Sequence, residues 1–117
     1  MSKFWDILQH LIDTSTLVID RPLGSRHPNF SEIIYPLDYG YLEGTSGGDG
    51  DGIDVWCGTT AEPRQLVATL ATVDPFKRDA ELKLLVNCSV EQIETIMQFM
   101  AEQEMGYYLI ERQAESD

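Results

Sequence analysis

The 117-residue chain carries 20 Asp plus Glu against 8 Lys plus Arg, a formal charge of −12. That length predicts one domain, read here as residues 1–112 with a frayed polar tail at 113–117, and 43% hydrophobic residues are enough for one packed core. The balance excludes general binding to DNA, RNA or an anionic membrane surface, each of which needs a concentrated basic face.

Phe4, Trp5, Ile7, Leu8, Leu11 and Ile12 recur at helical spacing, with Ser2 placed to cap the first turn. Asp6, His10 and Asp13 interrupt this apolar stretch, so it lacks the core of a signal peptide. No apolar run approaches a membrane span. Cys57 and Cys88 form no CxxC pair and no disulfide framework. A reduced cytoplasm is the expected compartment.

Leu17-Val18-Ile19 reads as a short buried strand ending at Asp20, Arg21 and Pro22, followed by loop from Gly24 to Asn29. Ile33 to Tyr35 and Tyr39 to Leu42 read as strands separated by Pro36. Seven of the nine glycines fall between Gly40 and Gly58, which concentrates sharp turns and close backbone approach there. Ile53 to Cys57, Leu66 to Val73 and Leu82 to Val86 follow as strands. Ser89-Val90-Glu91-Gln92 has the form of a capping box, opening a helix with Ile93, Ile96, Met97 and Met100 on one face. Gly106 ends that helix, and Tyr107 to Ile110 reads as a last strand. The sum is an α+β domain: a small, strongly bent antiparallel sheet or barrel with a helix near each end.

Gly47-Gly48-Asp49-Gly50-Asp51-Gly52-Ile53-Asp54 places three carboxylates within six residues, separated mostly by glycine. Two unit charges 4 Å apart repel by about 1 kcal/mol in water and about 4 kcal/mol at a surface-like dielectric. Such a cluster is either fully solvated or neutralised by a cation, and carboxylate oxygens select Mg²⁺, Mn²⁺ or Ca²⁺ over zinc. A calcium EF-hand is excluded. Counted from Asp49, its fifth, sixth and twelfth positions would be Ile53, Asp54 and Thr60.

Just upstream stands Tyr35-Pro36-Leu37-Asp38-Tyr39-Gly40-Tyr41. Together, Tyr-Pro-x-x-Tyr-Gly-Tyr and the later Asp-Gly-Asp-Gly-Ile-Asp-Val resemble the soluble family I inorganic pyrophosphatases. Their pattern is Tyr-Pro-x-Asn-Tyr-Gly followed by Asp-Gly-Asp-Pro-(apolar)-Asp-(apolar). The close likeness covers residues 17–58, with weaker similarity through residue 86. It implies Mg²⁺-dependent hydrolysis of pyrophosphate to two phosphates, on a small OB-like β-barrel with flanking helices. It makes Asp49 and Asp54 metal ligands, Asp51 the general base for the attacking water, and Tyr39 a phosphate contact. Val18-Ile19-Asp20-Arg21-Pro22 is similar to the family's Val-Ile-Glu-Ile-Pro, which puts Asp20 at an outer metal-site carboxylate. Asp74 and Asp79 stand five apart, as do two further family ligands. The family's following lysine is replaced by Glu81, with Lys83 two residues later. On an extended strand 79, 81 and 83 share one side, so Lys83 is a candidate substrate contact and Glu81 could take the place of Asp79, the favoured ligand.

The chain also departs from the pattern. The family's longer hairpin between Pro22 and Tyr35, with its Lys-x-Glu pair, is absent, and Arg26 and His27 are the candidates for its phosphate-binding arginine. Val90 to Glu104 holds no Lys or Arg where the family has a Tyr-Lys pair. Three readings remain open. The first is a minimal Mg²⁺-dependent pyrophosphatase acting on a small phosphoanhydride, its site completed in a homo-oligomer. The second is a hydrolase of an organic or nucleotide pyrophosphate. The third is a non-catalytic cation-binding module, against which the extra carboxylate of Asp51 speaks.

Overall fold

A computed structural model describes residues 3–60 and 63–113. The Ser2 cap and the end of the polar tail, residues 114–117, lie outside the described residues. The elements follow in the order α1 (Lys3–Thr14), β1 (Leu17–Arg21), β2 (Asp38–Leu42), β3 (Ile53–Cys57), β4 (Leu66–Asp74), β5 (Asp79–Val86), α2 (Val90–Ala101) and β6 (Gly106–Glu111). They build a mixed α+β domain on one six-stranded sheet ordered β1-β2-β3-β5-β4-β6.

The expected barrel does not close. Strands β1 and β6 are the free edges of the sheet, and β3 pairs with β5 in parallel while the other neighbours are antiparallel. One reason lies in the segment expected to form a strand at Ile33–Tyr35. It folds back on residues 24–27 through Gly24 N–H to Tyr35 O (2.8 Å) and His27 N–H to Ile33 O (2.9 Å), with one isolated bridge, Arg26 to Ile34. Its backbone groups are thereby used locally and add nothing to the edge at β1.

Alternation along the strands sends side chains to two opposite faces. On one face Leu8 and Ile12 of α1 pack with Leu42, Val55, Leu84 and Val86. On the other, Ile96 and Met100 of α2 pack with Trp56, Leu70, Leu85 and the buried Tyr35. The sheet is therefore covered by one helix on each side. Helix α2 starts as its sequence requires: the Ser89 side chain accepts from Gln92 N–H at 3.1 Å and Ser89 N–H reaches the Gln92 side chain at 2.9 Å. Helix α1 forms over its apolar stretch, but that stripe is wider than its cover, and Phe4 (46%) and Ile7 (57%) stay exposed. Among the described residues no helix is long and apolar enough to cross a membrane.

Candidate functional site

On the α2 face, pairing sets side chains from three strands side by side. Tyr39 lies opposite Trp56 and Tyr41 opposite Asp54 across β2 and β3. The parallel register Val55 to Leu84 and Trp56 to Leu85 sets Asp54 alongside Lys83, one residue earlier in each strand. Glu81 shares that face two residues before Lys83. The result is a cleft of about 580 Å³ whose lining includes Asp20, Arg21, Tyr39, Asp49, Asp51, Asp54, Asp74, Lys77, Glu81 and Lys83.

The glycine loop delivers its carboxylate because it can lie against β5. A Cβ at Gly48 would stand 2.0 Å from Ala80 O, a contact only glycine permits. This close approach sets Asp49 beside Glu81. Carboxylate oxygens of Asp49, Asp54 and Glu81 all lie within 4.8 Å of one another. Within the loop, Asp51 N–H donates to Asp49 Oδ1 at 3.0 Å, a local turn that orients Asp49.

Lys83 anchors the other two. Its ammonium donates to Asp54 Oδ2 (2.9 Å), Glu81 Oε2 (3.2 Å) and the Tyr39 hydroxyl (2.9 Å). Side-chain exposure is 10% for Lys83, 20% for Asp54 and 13% for Glu81, so the group is largely withdrawn from water. Burial opposes the charge on Lys83, but the hydroxyl of Tyr39 and the carboxylate of Asp54 outweigh it and hold the side chain as an ammonium. Burial pushes the Tyr39 phenol well above its ordinary value, so it stays a neutral hydroxyl. Glu81 is also raised, first by burial and then by the like charges of Asp54 and Asp49, against the pull of Lys83.

This set fits a hard divalent cation. Three carboxylates against one ammonium leave two formal negative charges, with Asp54 and Glu81 largely withdrawn from water and Asp49 exposed to it. Each carboxylate commits one oxygen to a protein donor, and among the described residues its second oxygen carries no such bond. Oxygens on opposite sides of a Mg²⁺ stand about 4 Å apart, a spacing that the 4.8 Å limit accommodates. Imidazole and thiolate are missing from the cluster, which suits Mg²⁺ or Mn²⁺ better than zinc.

The structure distributes the remaining candidates unevenly. Asp51 is exposed at the cleft wall. Asp79 stays outside the acidic cluster, and Glu81 holds the place expected for it. Asp79 and Glu81 share a side of β5, so only the docking point of the Gly48 loop, at Ala80 and Glu81, separates them. Asp74 lines the cleft, but its Oδ1 accepts from Phe76 N–H (2.9 Å) and Lys77 N–H (3.1 Å) at the β4–β5 turn. Those two bonds lower its carboxyl pKa, which marks a turn-forming role.

Arg26 is not part of the cleft lining. Its guanidinium closes its own loop by donating to Ser31 O at 2.6 Å. Arg21 takes the place in the cleft, bonded to the Tyr35 hydroxyl. A register shift in β1 between Val18 and Arg21 lets the adjacent Asp20 and Arg21 both line the cleft, which a regular strand forbids. Arg21 replaces an apolar residue of the pyrophosphatase pattern, and that departure was its signal. Lys77 gave only one of two adjacent cations, with Arg78, between Asp74 and Asp79. The sequence matches no protein-family model and no curated protein.

Proposed function

We propose that this chain is a Mg²⁺-dependent phosphoanhydride hydrolase acting on pyrophosphate, with Mn²⁺ as an alternative ion. One observation carries the reading: three carboxylates, Asp49, Asp54 and Glu81, converge beside Lys83 in a cleft that also holds an exposed acidic side chain, Asp51. The likeness to family I pyrophosphatases adds the order of the motifs, the first running from Tyr35 into β2 and the second from Asp49 into β3. The fold is read as a shortened, open form of that family's barrel. A reducing cytoplasm suits the free thiols of Cys57 and Cys88, and Asp20 remains the outer carboxylate of the cleft.

A bound divalent ion would neutralise phosphate charge and make water more acidic, which the protein's own −12 charge makes necessary for an anionic substrate. The carboxylates of Asp49, Asp54 and Glu81 would hold it. Lys83 fixes Asp54, Glu81 and Tyr39 in place with its three N–H groups, and it offers the phosphates its positive charge rather than a spare donor. Arg21 and Lys77 supply further charge-assisted contacts from the cleft wall. Asp51 accepts the proton of the attacking water, and its exposure lets that proton pass on to solvent.

The test is phosphate release from pyrophosphate with Mg²⁺ and with EDTA. Asp54→Ala abolishes release, and Asp51→Asn lowers turnover by roughly 10²–10⁴-fold while Mg²⁺ binding persists. Unchanged release by Asp54→Ala, or by wild-type protein in EDTA, contradicts the reading.

A further inference from the structure

The acidic centre occupies only one part of the cleft. The other part is walled by Phe30, Tyr35, Trp56, Phe99 and Met105. Tyr35 and Phe99 lie 5.9 Å apart between ring centroids, and Trp56 meets Phe99 edge-on at 5.5 Å. The innermost rings belong to the core, with Tyr35 at 5% and Trp56 at 1% exposure, whereas Phe30 is 54% exposed. An aromatic wall thus runs from the core out to the exposed Phe30, whose ring lies 5.2 Å from that of His27. Pyrophosphate, a small anion carrying no apolar group, has nothing to place against it. The cleft volume of about 580 Å³ lies in the range of sites that enclose molecules of drug size, roughly 300–1,000 Å³.

Polar groups on this wall suit the edge of a heterocycle. His27 Nδ1 accepts from Asn29 N–H at 3.0 Å, which leaves the ring proton on Nε2 as a donor. Burial, then the charges of Arg21 and Lys77, lower the pKa of His27, so the ring is a neutral donor near pH 7. Gln103 also lines the cleft, and among the described residues its side-chain amide makes one contact, 3.4 Å to Phe99 O. Arg21 and Lys77 line the same cleft as cations, suited to the phosphates joining a ring to the reacting centre.

We infer that the cleft takes a nucleoside polyphosphate, its base against the outer rings of that wall, the half-buried Phe99 and the exposed Phe30, and its phosphates at the Asp49–Asp54–Glu81 centre; this rests on the hydrolase reading above. With a nucleoside diphosphate, water oxygen bonds to the terminal phosphorus and the bridging P–O bond breaks. Its electron pair leaves with the nucleoside monophosphate, and one water proton passes to Asp51 and then to solvent. Stacking of one base on an aromatic side chain gives about a ten- to hundredfold advantage.

The experiment compares kcat/KM of the full chain with Mg²⁺ for adenosine diphosphate, methyl diphosphate and inorganic pyrophosphate. The expected result is at least a tenfold preference for adenosine diphosphate over methyl diphosphate, carried by KM and reduced severalfold in Phe99→Ala. Equal kcat/KM for the two organic substrates overturns the base seat while leaving the hydrolase reading intact. If no substrate is cleaved, the hydrolase reading falls, and equilibrium titration with the same two organic diphosphates judges the seat. Tenfold tighter binding of adenosine diphosphate then sustains it, and equal or absent binding overturns it.

Discussion

The two halves of the cleft are built on the same face of the same strands and share almost no chemistry. Along β3 the face changes from Asp54 to Trp56, and along β5 from Glu81 and Lys83 to Leu85. Two residues, about 7 Å of strand, separate a charged centre from a packed apolar one. In the apolar half, Trp56, Leu85, Ile96 and Met100 form a core that any folded domain requires. In the acidic half, two strand carboxylates and one loop carboxylate are drawn together around a single ammonium, an arrangement that costs stability unless a cation compensates. A fold does not need the acidic half, and that contrast is the reason to assign it the chemistry.

The largest effect sharpens the comparison from the apolar side. Trp56→Ala removes a ring that is 1% exposed and touches Tyr35, Tyr39 and Phe99. It is expected to cost about 3–5 kcal/mol in urea unfolding, independently of Mg²⁺. On the acidic side, Lys83→Met leaves Asp54 and Glu81 facing each other without their shared cation. Expected is a loss of about 3 kcal/mol without divalent ions, the lower end for a broken buried pair because Asp54 keeps 20% exposure. Added Mg²⁺ is expected to recover part of it. A loss below about 1 kcal/mol, as for exposed pairs, would show that the Lys83 group is effectively solvated and contributes little to the fold.

Gly48→Ala gives a smaller effect that falls on one half alone. Its Cβ would meet the Ala80 carbonyl oxygen at 2.0 Å, so the loop must move off β5 and take Asp49 with it. A stability change of about 1–3 kcal/mol is expected, with Mg²⁺ affinity weakened at least tenfold and the near-ultraviolet signal of the aromatic cluster unchanged. Unaltered Mg²⁺ affinity would show that Asp49 is dispensable to the centre.

Local signals made much of this molecule legible in its sequence. The bounds of β3, the capping box at Ser89 and Gln92, and the glycine-rich loop depend on neighbouring residues and appear where expected. What depended on distant pairing did not. Parallel pairing of β3 with β5 and the open sheet follow from which strand finds which partner. Strand character at Ile33–Tyr35 was locally plausible, yet the nearest partner in the chain, residues 24–27, captured its hydrogen bonds. The same holds within the site. Glu81 rather than Asp79 joins the cluster because of where a loop thirty residues earlier lands on β5. Arg21 rather than Arg26 lines the cleft because of an irregularity in β1 against β2 that no spacing rule announces.

If the acidic half holds a divalent cation, isothermal titration of the metal-free chain with Mg²⁺ will register it. The account predicts saturable binding in the wild type that is lost in Asp54→Asn and retained in Asp79→Asn. Absence of saturable binding, or equal binding by wild type and Asp54→Asn, would contradict it.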